Sequence, residues 1–124
     1  MKVLDFGSLN IDHVYRLERM RELLQALVNP QQRYPAVHIA GTKGKGSVTA
    51  LVESVLRAAG YRTGMYTSPH LHTFRERIRI MGEPASEEQI CRWMDTLQPI
   101  LATRPEVTVF EAITALAMFG FAES

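Results

Sequence analysis

Val37-His38-Ile39-Ala40-Gly41-Thr42-Lys43-Gly44-Lys45-Gly46-Ser47 sets a short apolar strand before a glycine- and lysine-rich turn, and that turn before a helix. The order is suited to holding phosphate. Amide N–H groups of a tight turn and of a helix N-terminus converge on one point, where an anion meets unpaired donors and the positive end of the helix dipole. Glycines at 41, 44 and 46 let the backbone approach that anion closely. Lys45 adds a point charge for the terminal phosphates, and the Ser47 hydroxyl can face a magnesium ion. ATP or GTP fits the pattern, with Gly41, Thr42, Lys43, Gly44, Lys45, Gly46 and Ser47 as the cradle and Lys45 as its catalytic cation. The usual phosphate loop has a glycine five residues before its Gly-Lys pair, where this chain has Ile39. A plain solvated loop is the competing reading, and the flanking strand and amphipathic helix weigh against it.

Working outward, Val14, Leu17, Met20, Leu24 and Leu27 recur at helical spacing among charged residues. They predict a helix over 14–28 that Asp12 can cap and Asn29-Pro30 stops. A strand over 36–40 follows, with His38 expected to be buried and hydrogen-bonded in it. After the turn, Val48, Leu51, Val52, Val55, Leu56 and Ala59 describe a second amphipathic helix, closed by Gly60. Residues 62–67 read as the next strand. A strand, helix, strand order with so short a crossover implies parallel strands, with the ligand at their carboxyl ends. The fold class expected is α/β: a phosphate-loop-containing, mostly parallel sheet with flanking helices.

Thr67-Ser68-Pro69-His70-Leu71 leaves that strand as an irregular loop, before a strand over 78–81 and a turn at Gly82-Glu83-Pro84. Ser86 with Gln89 forms a capping-box start for a third helix, which Pro99 is expected to disrupt. A last helix over 109–123 bears Glu111 in its first turn. Its Phe110, Phe119 and Phe121 still need partners, which points to an incomplete protein, since a parallel architecture would return the chain to another strand.

The 124 residues fit one domain, and 46% hydrophobic with 22% charged residues is the composition of a globular protein. No apolar run approaches the ~20 residues that cross a bilayer, and the opening residues lack a signal-peptide pattern, so the cytoplasm is the expected location. A formal charge of +1 gives no global field for nucleic acid or an anionic membrane. The single cysteine, Cys91, is expected to be a buried or half-buried thiol without a role.

Four separated segments together resemble one family. They are His38-Ile39-Ala40 with GTKGKGS, then Ala59 to Leu71 (AGYRTGMYTSPHL), then Phe74 to Ile80 (FRERIRI), and Phe110 to Leu116 (FEAITAL). In this order they resemble the folylpolyglutamate synthase and dihydrofolate synthase family of the Mur ligase superfamily, from about Leu17 to the end of the chain. The resemblance implies an incomplete Mur ligase-like central ATP-binding domain over 17–124, preceded by an atypical lead-in over 1–16. It also implies an ATP- and magnesium-dependent ligase. ATP phosphorylates a substrate carboxylate, and the amine of L-glutamate attacks the acyl phosphate to extend a folate or to join dihydropteroate.

By position, Ser68 and Glu111 resemble the family's magnesium ligands; read alone, they are a turn residue and a favourable first-turn carboxylate. His70 and His72 have no third or fourth ligand spaced nearby, so loop packing or substrate contact is the better reading than a transition metal. Arg75, Arg77 and Arg79 alternate along a presumed extended segment, and either share a face toward an anionic substrate or form a solvated face. Lys43 stands where many members of the family it resembles carry asparagine. The opening Val3 to Asp12 resembles instead the first strand of ribokinase-like sugar kinases, whose sugar contacts would fall on Asn10 and Asp12. The rest of the sheet, further site residues and a second domain of the ligase would lie beyond Ser124. The expectation is therefore a chain inactive by itself that needs the missing carboxy-terminal half, with a stand-alone nucleotide-binding module or an interaction fragment as alternatives.

Overall fold

The computed structural model describes residues 2–5, 14–39, 44–67 and 74–124. Along the chain run β1 (Lys2–Asp5), α1 (Val14–Ala26), β2 (Ala36–His38), α2 (Lys45–Ala58), β3 (Thr63–Tyr66), β4 (Ile78–Ile80), β5 (Glu83–Pro84), α3 (Glu87–Ala102) and α4 (Val109–Glu123). Short 3-10 turns lie at Pro30–Arg33 and Phe74–Arg77.

One five-stranded sheet has the order β2-β1-β3-β4-β5. β1 is parallel to both β2 and β3, and β4 and β5 continue antiparallel. The strands on either side of α2 are thus parallel, as the short crossover predicts, but they are not neighbours. Leu4 of β1 stands opposite both Val37 and Met65. Skipping one position is undemanding, because a 14-residue helix reaches roughly 21 Å and adjacent strands are only about 4.8 Å apart.

β2 is consequently an edge strand, and all its residues are exposed. The expectation that His38 is buried fails for this reason: its strand has a neighbour on one side and no cover.

β3 is buried throughout and fixes the layers. Successive side chains point to opposite faces. Thr63 meets α2, donating from Oγ1 to Glu53 Oε1 at 2.7 Å. Gly64 and Tyr66 meet α4: the Phe121 ring lies where a Cβ on Gly64 would sit, at 2.5 Å, and Tyr66 Oη bonds Thr114 Oγ1 at 2.8 Å. Helices therefore flank both faces. The core lies on the α4 side, built from Leu23, Leu24, Leu27, Ile78, Ile90, Trp93, Leu97, Leu116 and Phe121 among others.

Helix α4 is part of this core, contrary to the expectation of an unpartnered final helix. Phe121 is buried and sets its ring edge-on to Tyr34 at 6.3 Å, while Phe110 and Phe119 are half-buried. The aromatic residues at its two ends find α1, α3 and the 3-10 turn after α1 within the chain itself.

Helix ends follow their local signals. α1 gives way at Asn29, which adopts φ 49 ahead of Pro30. After α2, the N–H groups of Gly60 and Tyr61 return to the carbonyls of Arg57 and Leu56. Ser86 and Gln89 cap α3 reciprocally. Pro99 does not end α3, which continues to Ala102. Pro99 and Asp95, whose carbonyl loses its donor, both lie on the exposed side, where water can replace the missing bond. Cys91 is also on that side and is exposed rather than buried, because Ile90, Trp93 and Leu97 take the core positions.

Candidate nucleotide-phosphate site

Strand register collects the candidate segments at one edge. Asp5 is opposite both His38 and Tyr66, so the carboxyl ends of β1, β2 and β3 are level. The segments that leave them are those carrying Gly41-Thr42-Lys43, Ser68, and Asn10 with Asp12. Those residues, with His13, His70 and His72, lie outside the described residues. A cavity of about 350 Å³ lined by Arg62, Ile80, Arg92, Trp93, Phe119 and Ser124 among others is elsewhere. Arg62 precedes β3, so that cavity belongs to the opposite edge.

At the start of α2 the described part of the turn comes into view. Gly44 is the N-cap with φ 76, a left-handed conformation that favours glycine, and it has no side chain to cap the helix. Its carbonyl accepts the first helical bond from Val48 N–H at 2.9 Å. Gly46 and Ser47 are exposed, and Lys45 is the first helical residue. An α-helix leaves its first-turn N–H groups without intrahelical partners. Among the described residues neither a capping side chain nor an acidic first-turn residue answers them.

Glu111 is placed quite differently. It is 4% exposed and is the third residue of α4. Its Oε1 accepts from Thr108 N–H at 3.0 Å and from Arg19 Nη2 at 3.2 Å, and its Oε2 from Arg19 Nε at 3.3 Å. Thr108 Oγ1 accepts in turn from Glu111 N–H, closing a capping box. Burial raises the pKa of the carboxyl, but the Thr108 N–H, the Arg19 hydrogen bonds and the Arg19 charge outweigh it and hold it below its ordinary value of 4.5. An ionised carboxylate with hard oxygens suits magnesium. Arg19 is already the cation at both oxygens, so a metal there requires the arginine to withdraw. Among the described residues no group of three or more His, Cys, Asp or Glu is arranged to hold a metal ion.

Sequence reasoning missed Arg19, which stands 92 residues from Glu111 with no local signal linking them. The Tyr66–Thr114 bond escaped it similarly; it seats the first turns of α4 beneath the carboxyl end of β3 and so brings Glu111 to the edge from which Ser68 departs.

The arginines do not share an extended face. Arg75 and Arg77 lie on a 3-10 turn and only Arg79 is in a strand. Arg75 donates to the Ala85 carbonyl at 3.4 Å and pairs with Glu87 at 3.7 Å, and Arg79 donates to the Gly82 carbonyl at 3.3 Å. Arg77 Nε is buried with no hydrogen-bond partner among the described residues, and its carbonyl accepts from Thr67 N–H at 2.8 Å, beside the exit of β3.

Against this geometry, comparison with known proteins is decisive about kinship. The chain is 39% identical over 112 residues to the dihydrofolate synthase/folylpolyglutamate synthase of Bacillus subtilis, a match covering 86% of this chain and 26% of that protein. The chain is a part-length relative of the folylpolyglutamate and dihydrofolate synthases. The folylpolyglutamate synthase structure from Thermotoga maritima superposes with a TM-score of 0.83 at 46% identity, over 86% of this chain and 27% of that one. The Mycobacterium tuberculosis enzyme, solved in complex with ADP and AMPPCP, gives 0.81 at 38% identity over 86% and 26%. The fold is accordingly an α/β fragment of the Mur ligase-like ATP-binding domain. No family model matches the chain. It spans about a quarter of the length of the curated relatives it matches. No helix among the described residues is long and apolar enough to cross a membrane.

Proposed function

We propose that this chain carries the nucleotide-binding part of an ATP-dependent ligase that adds L-glutamate to a folate, to dihydropteroate, or to both, through an acyl phosphate. The observation that carries the reading is that α2 starts within GTKGKGS, at Lys45 after the left-handed Gly44, with no side-chain cap among the described residues, in a chain related to synthases of which one is solved with ADP and AMPPCP. Gly41, Thr42, Lys43, Gly44, Gly46 and Ser47 cradle the phosphates with their backbone donors, and Lys45 offsets the charge that develops on the transferred group. Ser68 and Glu111 would hold a magnesium ion, which requires Arg19 to release Glu111. Bound there, it would supply neutralisation of phosphate charge. Arg77, whose Nε has no partner among the described residues beside the β3 exit, contacts the anionic substrate.

In this reading residues 17–124 are the ligase-derived part, the first 16 residues are an atypical lead-in, and the chain works in the cytoplasm. Turnover needs the remainder of the enzyme, so the chain alone binds nucleotide without consuming it. The position of β1 inside the sheet, paired on both sides with β2 and β3, favours a second reading, a module that folds and binds nucleotide by itself. Calorimetric titration with Mg-ATP tests the shared claim. Binding is expected, and Lys45→Ala weakens it at least about tenfold, or roughly 1.4 kcal/mol. Equal binding by the two forms, or none at millimolar nucleotide, would reject the site.

A further inference from the structure

Helix α2 carries its apolar residues on the wrong side for the fold around it. Thr49 and Glu53 are 0% and 3% exposed, and the Glu53–Thr63 contact turns this side toward β3. At about 100° per residue, Leu51, Val55 and Val48 fall more than a quarter-turn away from that line. They are 65%, 59% and 48% exposed. Ser47, Ala50, Ser54 and Ala58 share this outer half, so between Ser47 and Ala58 it holds small and aliphatic residues and no charge. The charged residues in this stretch are Glu53, buried, and Arg57, paired to it at 3.0 Å. No α2 residue belongs to the core cluster.

A helix on a protein surface normally turns charged residues to solvent, and one without them is buried on both sides. We propose that the outer face of α2, centred on Leu51 and Val55, is the surface on which the remainder of the parent ligase packs. This rests on the ligase reading. The occupant follows from length: in the B. subtilis and T. maritima proteins about three quarters of the polypeptide lies outside the matched part, and it belongs to the same chain. The face begins at Ser47, immediately beside the phosphate turn, so the covering body closes directly on the nucleotide's edge.

The test compares Leu51→Glu with Val55→Glu in this chain and at the aligned positions of the full-length B. subtilis enzyme. In this chain the double substitution is expected to leave Tm within about 2 °C and the protein monomeric in sedimentation, because Leu51 and Val55 are exposed. In the full-length enzyme it is expected to lower Tm by at least about 5 °C. An unchanged Tm in the full-length enzyme would overturn the proposal, as would a large fall in this chain. A wild-type dimer dissolved by the substitutions would assign the face to a second copy and overturn it too. Mg-ATP titration of the same variants separates this from the ligase reading: lost nucleotide binding in wild type rejects that reading, whereas the Tm contrast judges the docking face alone.

Discussion

Helices α2 and α4 begin in opposite ways, and the contrast divides a binding end from a structural one. α4 starts with Thr108 and Glu111 answering each other's backbone N–H groups, and Arg19 neutralises the carboxylate. α2 starts at a left-handed glycine with no capping side chain among the described residues and no first-turn acid. Helix ends carry unmet donors by construction, so sealing one end and leaving another open places a positive, donor-rich spot. The open end follows β2 in sequence, and the carboxyl ends of β1, β2 and β3 are level.

The sealed end should be the one on which stability depends. Glu111→Ala removes a buried carboxylate from Arg19 and Thr108 together, and is expected to cost about 3 kcal/mol, on the order of 10 °C in Tm. A loss below about 1 kcal/mol in urea unfolding would mean that the ion pair is not formed in solution.

The pH dependence sharpens the same point. Because the folded-state pKa of Glu111 is depressed, the unfolded chain binds this proton more readily. Its contribution is full above the ordinary glutamate value of 4.5 and disappears as pH falls through the lower folded value. The stability gap between wild type and Glu111→Gln should therefore be widest near neutral pH and shrink as pH falls below 4.5. A gap that stays constant from pH 7 to pH 3 would show that the charge contributes nothing.

What the sequence made legible was local. The Ser86–Gln89 cap, Gly60 at the end of α2 and the extent of α4 are each written within a few residues, and the structure has them. The phosphate turn is a local reading too, since strand, glycines, lysine and helix adjoin, but Gly41, Thr42 and Lys43 lie outside the described residues. Reading failed where an outcome depended on distant neighbours. The apolar strand around His38 reads as buried, but β2 is the terminal strand of the sheet and its residues are exposed. The apolar spacing of α2 identified a helix and said nothing of which side meets the sheet, and here the polar Thr49 and Glu53 do. Arg19 reaches Glu111 across 92 residues, a pairing that no window of sequence contains.

The smallest effect is the one that isolates the open end. Ser47 is exposed, and among the described residues no side chain caps α2, so Ser47→Ala should change stability by less than about 0.5 kcal/mol. Thr108→Ala, the same loss of a hydroxyl near the start of α4, should cost about 1 kcal/mol, because Thr108 Oγ1 accepts from Glu111 N–H at 3.2 Å. Urea midpoints of the two variants, measured side by side, decide between two physical pictures. If Ser47→Ala costs as much as Thr108→Ala, its hydroxyl is occupied in holding the helix and the α2 donors are already answered within the chain. A near-zero cost, joined to weaker Mg-ATP binding in the same variant, leaves that hydroxyl and the amides around it for a ligand.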